Sequence, residues 1–195
     1  MKPSQPNRFF RVVRMTAQLL FISVLVLLAW PTGPSGETGV HKDALSFYRK
    51  IVRMDHAIRK DTPLKISISE REINGYFADL IQNNFLKKKA DLFTSTLRTI
   101  NLAFTPKRFK LILVGKWGPI PFSYELRGIP LLKDKKFGIE VLHVKWGQMI
   151  LPRATKNWFT ARLGALFDKL KRERFVFTHI DEATLGAGNI LLIIE

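Results

Sequence analysis

The chain has 195 residues, of which 46% are apolar and 25% charged, and this composition excludes both wholesale disorder and a protein with many membrane spans. Cysteine is absent, which excludes a disulfide scaffold, a Cys-ligated metal centre and a thiol nucleophile. The formal net charge of +16 favours anionic partners such as lipid headgroups, acidic polysaccharides or nucleic acid.

Residues 1–36 carry the pattern of a membrane-targeting segment. Four basic residues and no acidic residue precede an uncharged, largely apolar run at 15–30, and a linker rich in proline and glycine follows. Because positive charge keeps the preceding end in the cytoplasm, we expect residues 15–30 to contact the cytoplasmic membrane and the following domain to face outward, in the periplasm or outside the cell. The run has about the minimum length for a bilayer span and lacks a clean cleavage site, so a retained anchor and secretion after cleavage both remain open. A domain facing outward is not expected to bind nucleic acid.

Residues 37–195 are expected to form one exported α+β domain. Apolar residues recur every three to four positions in 41–60, which predicts a helix. Alternation of apolar and polar residues then predicts a short strand at 64–68, the first element of a sheet-and-helix core over 64–195.

The segment after this strand has the pattern of a capping box. Ser69 is placed to accept a hydrogen bond from the Glu72 amide, and Glu72 to accept one from the Ser69 amide. The helix that starts there has an apolar stripe of Ile73, Phe77, Leu80, Ile81 and Phe85. Gly75 lies within this helix, where glycine costs about 1 kcal/mol relative to alanine, so it either marks a close approach of another segment or is incidental.

From about residue 96 to residue 147 the hydrophobic period changes to two. Four alternating segments joined by short polar turns predict an antiparallel meander with one apolar, phenylalanine-rich face. After Pro152 the period is helical again, with a predicted stripe of Phe159, Leu163, Leu166, Phe167 and Leu170. A strand is predicted at 175–179, and the last strand, at 190–194, is apolar on both faces and therefore expected to be central or covered.

These elements predict an α+β fold in which a curved antiparallel sheet wraps around amphipathic helices; a cystatin-like roll, with a helix on a sheet, is the alternative. A sheet curved in this way leaves an elongated apolar groove, which suits an acyl chain. The same side chains could instead fill a closed core. The expected lining residues are Phe77, Ile81, Leu102, Phe104, Leu111, Leu113, Phe122, Tyr124, Ile139, Leu166 and Phe167.

The helix predicted after Pro152 is strongly basic on the side away from its apolar stripe. We expect its cations to face water and to contact an anionic membrane or guide an anionic lipid, with a solvated surface as the alternative. The residues concerned are Arg162, Lys169, Lys171, Arg172 and Arg174.

No specific catalytic constellation is present, and neither an enzyme nor a metal or other cofactor is expected. The four histidines lack the spacing of a zinc helix, and no nucleophile elbow or phosphate loop occurs. His143 is predicted to point inward from its strand, as a core or pocket residue. Glu125 and Glu140 are explained by cross-strand ion pairs with Arg127 or Lys145.

Two phrases of the sequence resemble exported bacterial domains related to the tubular lipid-binding (TULIP-like) superfamily. The first, Ile66 to Ile81, has the strand, Ser-x-x-Glu, Asn, aromatic order; the second, Val144 to Leu163, has a Gly-x-x-x-x-Pro passage from strand to helix. The matching positions are Ser69, Glu72, Asn74, Tyr76, Gly147, Leu151 and Pro152. The resemblance implies an outward-facing domain that binds a lipid or amphiphile at the cytoplasmic membrane, and no catalytic residues.

Three functions are therefore expected, in order of preference. The first is a non-catalytic envelope protein that binds a lipid or another hydrophobic ligand in the groove. The second is a membrane-anchored adaptor or structural subunit that docks on another envelope protein without a ligand. The third is a basic module that binds polysaccharide.

Overall fold

The structure, a computed structural model, describes residues 37–83, 97–118, 120–133 and 136–195, together with Thr16, 18–21, Ser23 and Val24. The described residues between 16 and 24 are helical, and most of the predicted membrane segment 15–30 lies outside the described part of the chain. No helix among the described residues is both long and apolar enough to cross a membrane.

Residues 37–195 contain both helices and strands. The helices described in residues 37–195 are α1 (His41–Arg59), α2 (Glu70–Gln82), α3 (Arg153–Phe167) and α4 (Lys171–Phe177). The strands are β1 (Leu64–Ser69), β2 (Leu97–Thr105), β3 (Arg108–Trp117), β4 (Ile120–Lys133), β5 (Lys136–Trp146), β6 (Met149–Ile150), β7 (Glu182–Leu185) and β8 (Asn189–Ile194).

The strands form two antiparallel sheets. The five-stranded sheet has the order β2-β3-β4-β5-β6, which confirms the predicted meander, and the three-stranded sheet has the order β1-β8-β7. The α+β class is thus confirmed, while the division into two sheets was not predicted. The last strand is central in its sheet, as its apolar composition on both faces indicated.

The capping box at the start of α2 is formed as predicted. The Glu72 amide donates to Ser69 Oγ at 3.3 Å, and the Ser69 amide donates to Glu72 Oε2 at 2.8 Å. The stripe of α2 faces the core, with Ile73 and Phe77 buried. The helix ends at Gln82, and the predicted stripe member Phe85 lies outside the described residues.

Gly75 marks a close approach between α2 and the start of α1. A Cβ atom at Gly75 would lie 2.7 Å from the Val40 carbonyl oxygen and 2.9 Å from the Ala44 amide nitrogen. Both atoms belong to backbone, which cannot rotate away as a flexible side chain would. The glycine that lowers helix propensity is therefore required by the crossing of the two helices.

Gly75→Ala is expected to lower the free energy of unfolding by about 1 kcal/mol, because the strain of overpacking, about 2 kcal/mol here, exceeds the gain of about 1 kcal/mol in helix propensity. The matched control is Gly164→Ala in α3, where a Cβ atom would meet nothing within 4 Å and propensity alone should stabilise the fold. Urea unfolding of both variants measures this difference. If the two variants change the free energy of unfolding equally, or if both stabilise the fold, the helices do not touch at Gly75.

The two sheets meet at the first turn of α2. The Glu70 amide donates to the Gly188 carbonyl at 2.9 Å, while the Glu70 carboxylate accepts the Phe104 amide of the edge strand β2. Gly188 has a φ of +75°, a conformation that favours glycine. One helix terminus therefore joins the turn before β8 to the edge of the larger sheet.

Asn74 completes this junction, because its side chain bonds to the backbone of edge strand β2 as a neighbouring strand would. Its Oδ1 accepts the Leu102 amide at 2.6 Å, and its Nδ2 donates to the Leu102 carbonyl at 2.9 Å and to the Glu37 carbonyl at 2.8 Å. The amide and carbonyl of Leu102 on edge strand β2 are thus satisfied by a side chain, which also protects this part of the edge from pairing with another strand.

A single apolar cluster includes side chains from both sheets and from α1, α2 and the end of α4. Its fully buried members include Ile51 and Met54 of α1, Ile68 of β1 and Phe122 of β4. The inner face of the larger sheet therefore packs against a core to which α1 and α2 contribute.

The predicted strand at 175–179 is wrong, because this segment is the end of α4. The Arg174 amide donates to the Leu170 carbonyl at 2.8 Å, and the rings of Phe175 and His179 lie 4.5 Å apart as neighbours on one helical face. Val176 and Ile180 are buried while Thr178 between them is exposed, a spacing of four residues that fits a helix and not alternation. The predicted basic helix is accordingly split into α3 and α4, separated at residues 168–170.

Strand β5 contains a bulge that changes which side chains face the core. Arg127 pairs with His143 but Gly128 pairs with Val141, so Leu142 is the extra residue. The Lys156 ammonium of α3 donates to the Val141 and Leu142 carbonyls at this irregularity. The bulge reverses the alternation along β5 on either side of it.

Candidate functional site

The inner face of the five-stranded sheet is the candidate site, because it carries most of the predicted groove residues. Cross-strand register places Leu102 opposite Leu111 and Leu113 opposite Tyr124, while Leu126 lies opposite Val144. These pairs form rows of apolar side chains across four strands. Phe109 extends the face over Gly128, at which a Cβ atom would lie 2.7 Å from the Phe109 ring.

The predicted lining residues have different degrees of burial. Six of them are buried in the apolar cluster, namely Phe77, Phe104, Leu111, Leu113, Phe122 and Tyr124. Ile81 and Leu102 are partly buried and pack against that cluster. Ile139 is 49% exposed, and the side chains of Leu166 and Phe167 lie outside the described part of the chain. Eight of the eleven positions are thus brought together at one core.

The apolar face continues beyond the closed core along the hairpin of β4 and β5. Strand β3 pairs with β4 only as far as Gly128, while β4 and β5 remain paired as far as Lys133 and Lys136. Toward the turn of this hairpin, the inner-face side chains change from Val144, which is buried, to Val141, which is partly buried, and then to Ile139, which is open to solvent. The face therefore grades from a filled interior to an accessible apolar end.

Trp146 supplies a polar group to this face that sequence analysis did not identify. Its indole ring lies parallel to Tyr124 with 6.5 Å between the centroids, and its Nε1 is buried with no hydrogen-bond partner among the described residues. A buried N–H without a partner is costly, so such groups are rare in folded proteins. Burial also raises the pKa of the neighbouring Tyr124 hydroxyl, which stays protonated at neutral pH.

The opposite, outer face of the sheet carries the polar side chains. His143 is opposite Arg127 on this face and not at the inward position predicted, because the bulge at Leu142 reverses the alternation. Burial lowers the pKa of His143, and the charges of Arg127 and Lys145 lower it further. His143 is therefore neutral at physiological pH.

The predicted ion pairs of the two strand glutamates are not formed as expected. Glu125 is opposite Lys145 in register, but its carboxylate bonds to Arg127 Nε at 2.7 Å, two residues along the same strand. Glu140 is opposite Ile129 instead of a cation. Among the described residues no group of three or more His, Asp or Glu side chains is placed to hold a metal ion.

The predicted anion-contacting cations do not form one helix face. Arg174 bonds to Asp168 Oδ1 at 2.9 Å across the break between α3 and α4, and Lys171 is exposed at the start of α4. Arg172 rests on α1, where it donates to the Tyr48 hydroxyl at 2.7 Å. Lys169 is partly buried, and the Arg162 side chain lies outside the described residues.

A polar network fixes α1 against β1 and α2 beside the apolar site. Lys50 Nζ bonds to the Glu72 carboxylate at 2.7 Å and to the Ser67 carbonyl at 2.6 Å, and the Ser46 hydroxyl donates to the same carboxylate. Burial alone would raise the pKa of Glu72, but hydrogen bonds from Lys50, Ser46 and the Ser69 amide hold it below its ordinary value.

A small pocket of about 200 Å³ lies at the other end of α1, where Ala57 and Ile58 face Thr178 and His179. Asp181 in its wall accepts a hydrogen bond from the Glu195 amide at 2.8 Å, so this carboxylate already has a structural partner. The pocket is half polar and has no connection to the predicted lining residues.

No known protein-family model matches this chain, and no curated protein matches it with significant similarity.

Proposed function

We propose that the chain is a non-catalytic protein of the cell envelope that binds a lipid or another hydrophobic ligand against the inner face of its five-stranded sheet. The observation that carries this proposal is the continuity of that face from the buried core to the exposed side chain of Ile139. Sites for hydrophobic ligands are concave and mostly apolar, with a few polar groups that orient the ligand.

The chemistry of the face indicates an amphiphile with one hydrogen-bond acceptor near an acyl chain. At the accessible end of the face, the exposed Ile139 and the partly buried Val141 offer apolar contact, which suits a hydrocarbon chain. The indole N–H of Trp146 would donate to an ester or carboxyl oxygen and so remove the cost of its unpaired state. A purely hydrocarbon ligand would leave that donor unsatisfied.

The proposal extends to fold type and location. A curved sheet wrapped around amphipathic helices, of the tubular lipid-binding kind, would give the groove its length; the cystatin-like roll is the alternative. Residues 15–30 would hold the chain at the cytoplasmic membrane with the domain outside, or would be cleaved on secretion. The basic composition supports an encounter with anionic lipid in that compartment.

Ile139→Asp tests the accessible end of the site. The full chain, held in an amphipathic polymer, is titrated with the fluorescent fatty acid cis-parinaric acid against a blank of empty polymer. A carboxylate on the apolar face should weaken binding about tenfold, which corresponds to about 1.4 kcal/mol. The matched control is Leu131→Asp, which makes the same change at the same end of the hairpin but on the opposite face.

Binding by Leu131→Asp should equal that of the unmodified chain. If the two variants bind the fatty acid equally well, or if the unmodified chain does not bind it above the blank, the proposal is wrong.

A specific observation favours the adaptor as the second candidate. Several large apolar side chains are exposed outside the inner face, at Leu131, Leu142, Ile150 and Trp158. Exposed apolar patches mark protein–protein contacts. The adaptor predicts the reverse pattern, in which Leu131→Asp abolishes the protein's contact with its envelope partner and Ile139→Asp does not. A polysaccharide module would need a row of rings, whereas Tyr48 and Trp158, the exposed Tyr and Trp rings among the side chains described in residues 37–195, lie on different helices.

A further inference from the structure

Helix α1 has a second apolar face that is turned to solvent. Its buried face packs into the core through Phe47, Ile51 and other residues, yet Leu45, Tyr48 and Val52 on the outward side are 45%, 47% and 39% exposed. Their spacing of three and four residues places them in one row along the helix. We call this row the α1 ridge.

Cations flank the α1 ridge on both sides. Arg49 and Arg53 are exposed on the outward face of α1, and within the described part of the chain neither has an ion-pair partner. From the neighbouring helix α4, Arg172 lies over the Tyr48 ring with 5.6 Å from its guanidinium carbon to the ring centroid. Arg172 is thereby held beside the ridge as a fixed positive charge.

The acidic residues of α1 do not cancel these charges. Asp43 accepts a hydrogen bond from the Val40 amide at 2.9 Å and lies 3.6 Å from Arg71. Asp55 is paired with Arg59 at 2.9 Å. Both carboxylates are therefore occupied within the fold, and the outward face of α1 keeps a net positive charge.

We propose that the α1 ridge and its flanking cations bind the surface of an anionic lipid bilayer. An apolar row edged by Arg and Lys is the pattern of helices that lie in the interface, where apolar burial adds to attraction by anionic headgroups. The net positive charge of the outward face of α1 favours anionic lipid over a second copy of this chain, because two such basic faces would repel each other. The inference is independent of the hydrophobic-ligand proposal, since it uses a different surface.

The position of α1 in the chain is consistent with this orientation. His41 follows the predicted membrane segment 15–30 by about ten residues, which span at most about 35 Å when extended. The helix would then remain near the bilayer whenever residues 15–30 are inserted. Binding through the α1 ridge would hold the domain on the bilayer surface and fix the orientation of the five-stranded sheet relative to the bilayer.

Single labels on the full chain test this proposal. The chain has no cysteine, so Leu45→Cys, Val52→Cys and Lys65→Cys each provide one site for the environment-sensitive fluorophore NBD. Lys65 is exposed on β1 and serves as the control position. Each labelled protein is reconstituted into vesicles of phosphatidylcholine alone or with phosphatidylglycerol, and quenching by doxyl-labelled lipid is measured.

With phosphatidylglycerol present, labels at 45 and 52 should be quenched by the lipid at low salt, and the label at 65 should not. Quenching should fall as salt rises to about 0.5 M, because screening shortens the electrostatic range. Arg49→Glu with Arg53→Glu should reduce quenching at position 45 about tenfold, while the matched pair Lys65→Glu with Arg98→Glu should leave it unchanged.

Three results would overturn the proposal. One is equal quenching at positions 45 and 65. Another is quenching at position 45 that is the same in neutral and anionic vesicles. The third is shielding of the label at position 45 from water that increases as more protein is added at constant lipid. That result would assign the ridge to contacts between copies of the chain.

Discussion

Asn74→Ala is expected to lower the free energy of unfolding by about 3 kcal/mol, because it leaves the partly buried amide and carbonyl of Leu102 without partners. Each such group costs about 1–3 kcal/mol when unsatisfied. Asn74 also bonds to the Glu37 carbonyl, so the same change loosens the segment before α1. Denaturant unfolding followed by circular dichroism measures the difference.

The matched control for Asn74 is Asn101→Ala. Both side chains are 3% exposed, but Asn101 Oδ1 has no hydrogen-bond partner among the described residues. Its removal should therefore cost about 1 kcal/mol or less, from lost packing alone. Equal destabilisation by the two variants would show that the hydrogen bonds of Asn74 to the sheet edge contribute little.

Glu72→Ala is expected to lower the free energy of unfolding by about 2–3 kcal/mol, since it leaves the Ser69 amide without its acceptor and removes the carboxylate partner of Lys50, which then keeps only the Ser67 carbonyl. Glu72→Gln keeps the shape of the side chain and one acceptor oxygen, so it should cost less. Urea unfolding at pH 7 compares the two variants. A Glu72→Ala protein as stable as the unmodified chain would contradict the role given to this network.

The same carboxylate makes stability depend on pH. The pKa of Glu72 is held below its ordinary value in the folded state, so at mildly acidic pH the unfolded state binds the proton more readily. The stabilisation is complete above the unfolded pKa, about 4.3, and is lost as pH falls through the folded pKa. Glu72→Gln should lose less stability between neutral and acidic pH than the unmodified chain. Identical slopes would show that Glu72 does not contribute.

Features fixed by neighbouring residues could be predicted from the sequence. The Ser69–Glu72 capping box depends on residues three apart, and the meander depends on alternation within each strand, so local patterns were sufficient for both. Gly75 was visible as a helix position with no local reason for glycine, but the sequence left open whether it marks a close approach. The structure decides this by placing the Val40–Ala44 backbone against it.

Features that depend on distant residues could not be predicted. Glu70 reads as an acidic residue in the first turn of a helix, yet it accepts the amide of Phe104, which is 34 residues away. No residue typical of turns marks the bulge at Leu142 in the sequence, and the bulge moves His143 to the outer face. In α4 the aromatic residues Phe175 and Phe177 imitate alternation, although the burial of Val176 and of Ile180, four residues later, follows a helical period.

The same reasoning explains why the candidate site was found only in part. Alternation identified the apolar inner face, including Phe122 and Tyr124, because strand periodicity assigns each side chain to one face. It could not identify Trp146 as an unpaired donor, since that depends on the absence of a partner in three dimensions. It also could not separate residues that fill the core from those, such as Ile139, that remain accessible.

Native mass spectrometry of the full chain, released from detergent in the gas phase, tests the central claim most directly. If the inner face of the five-stranded sheet binds a lipid, the protein isolated from membranes should carry an adduct with the mass of an acyl lipid at about one per chain. That adduct should survive extensive washing, be diminished in Ile139→Asp and be retained in Leu131→Asp. A chain that is free of adducts under conditions that preserve other lipid–protein complexes, or one that carries the same adducts in both variants, would contradict the proposal.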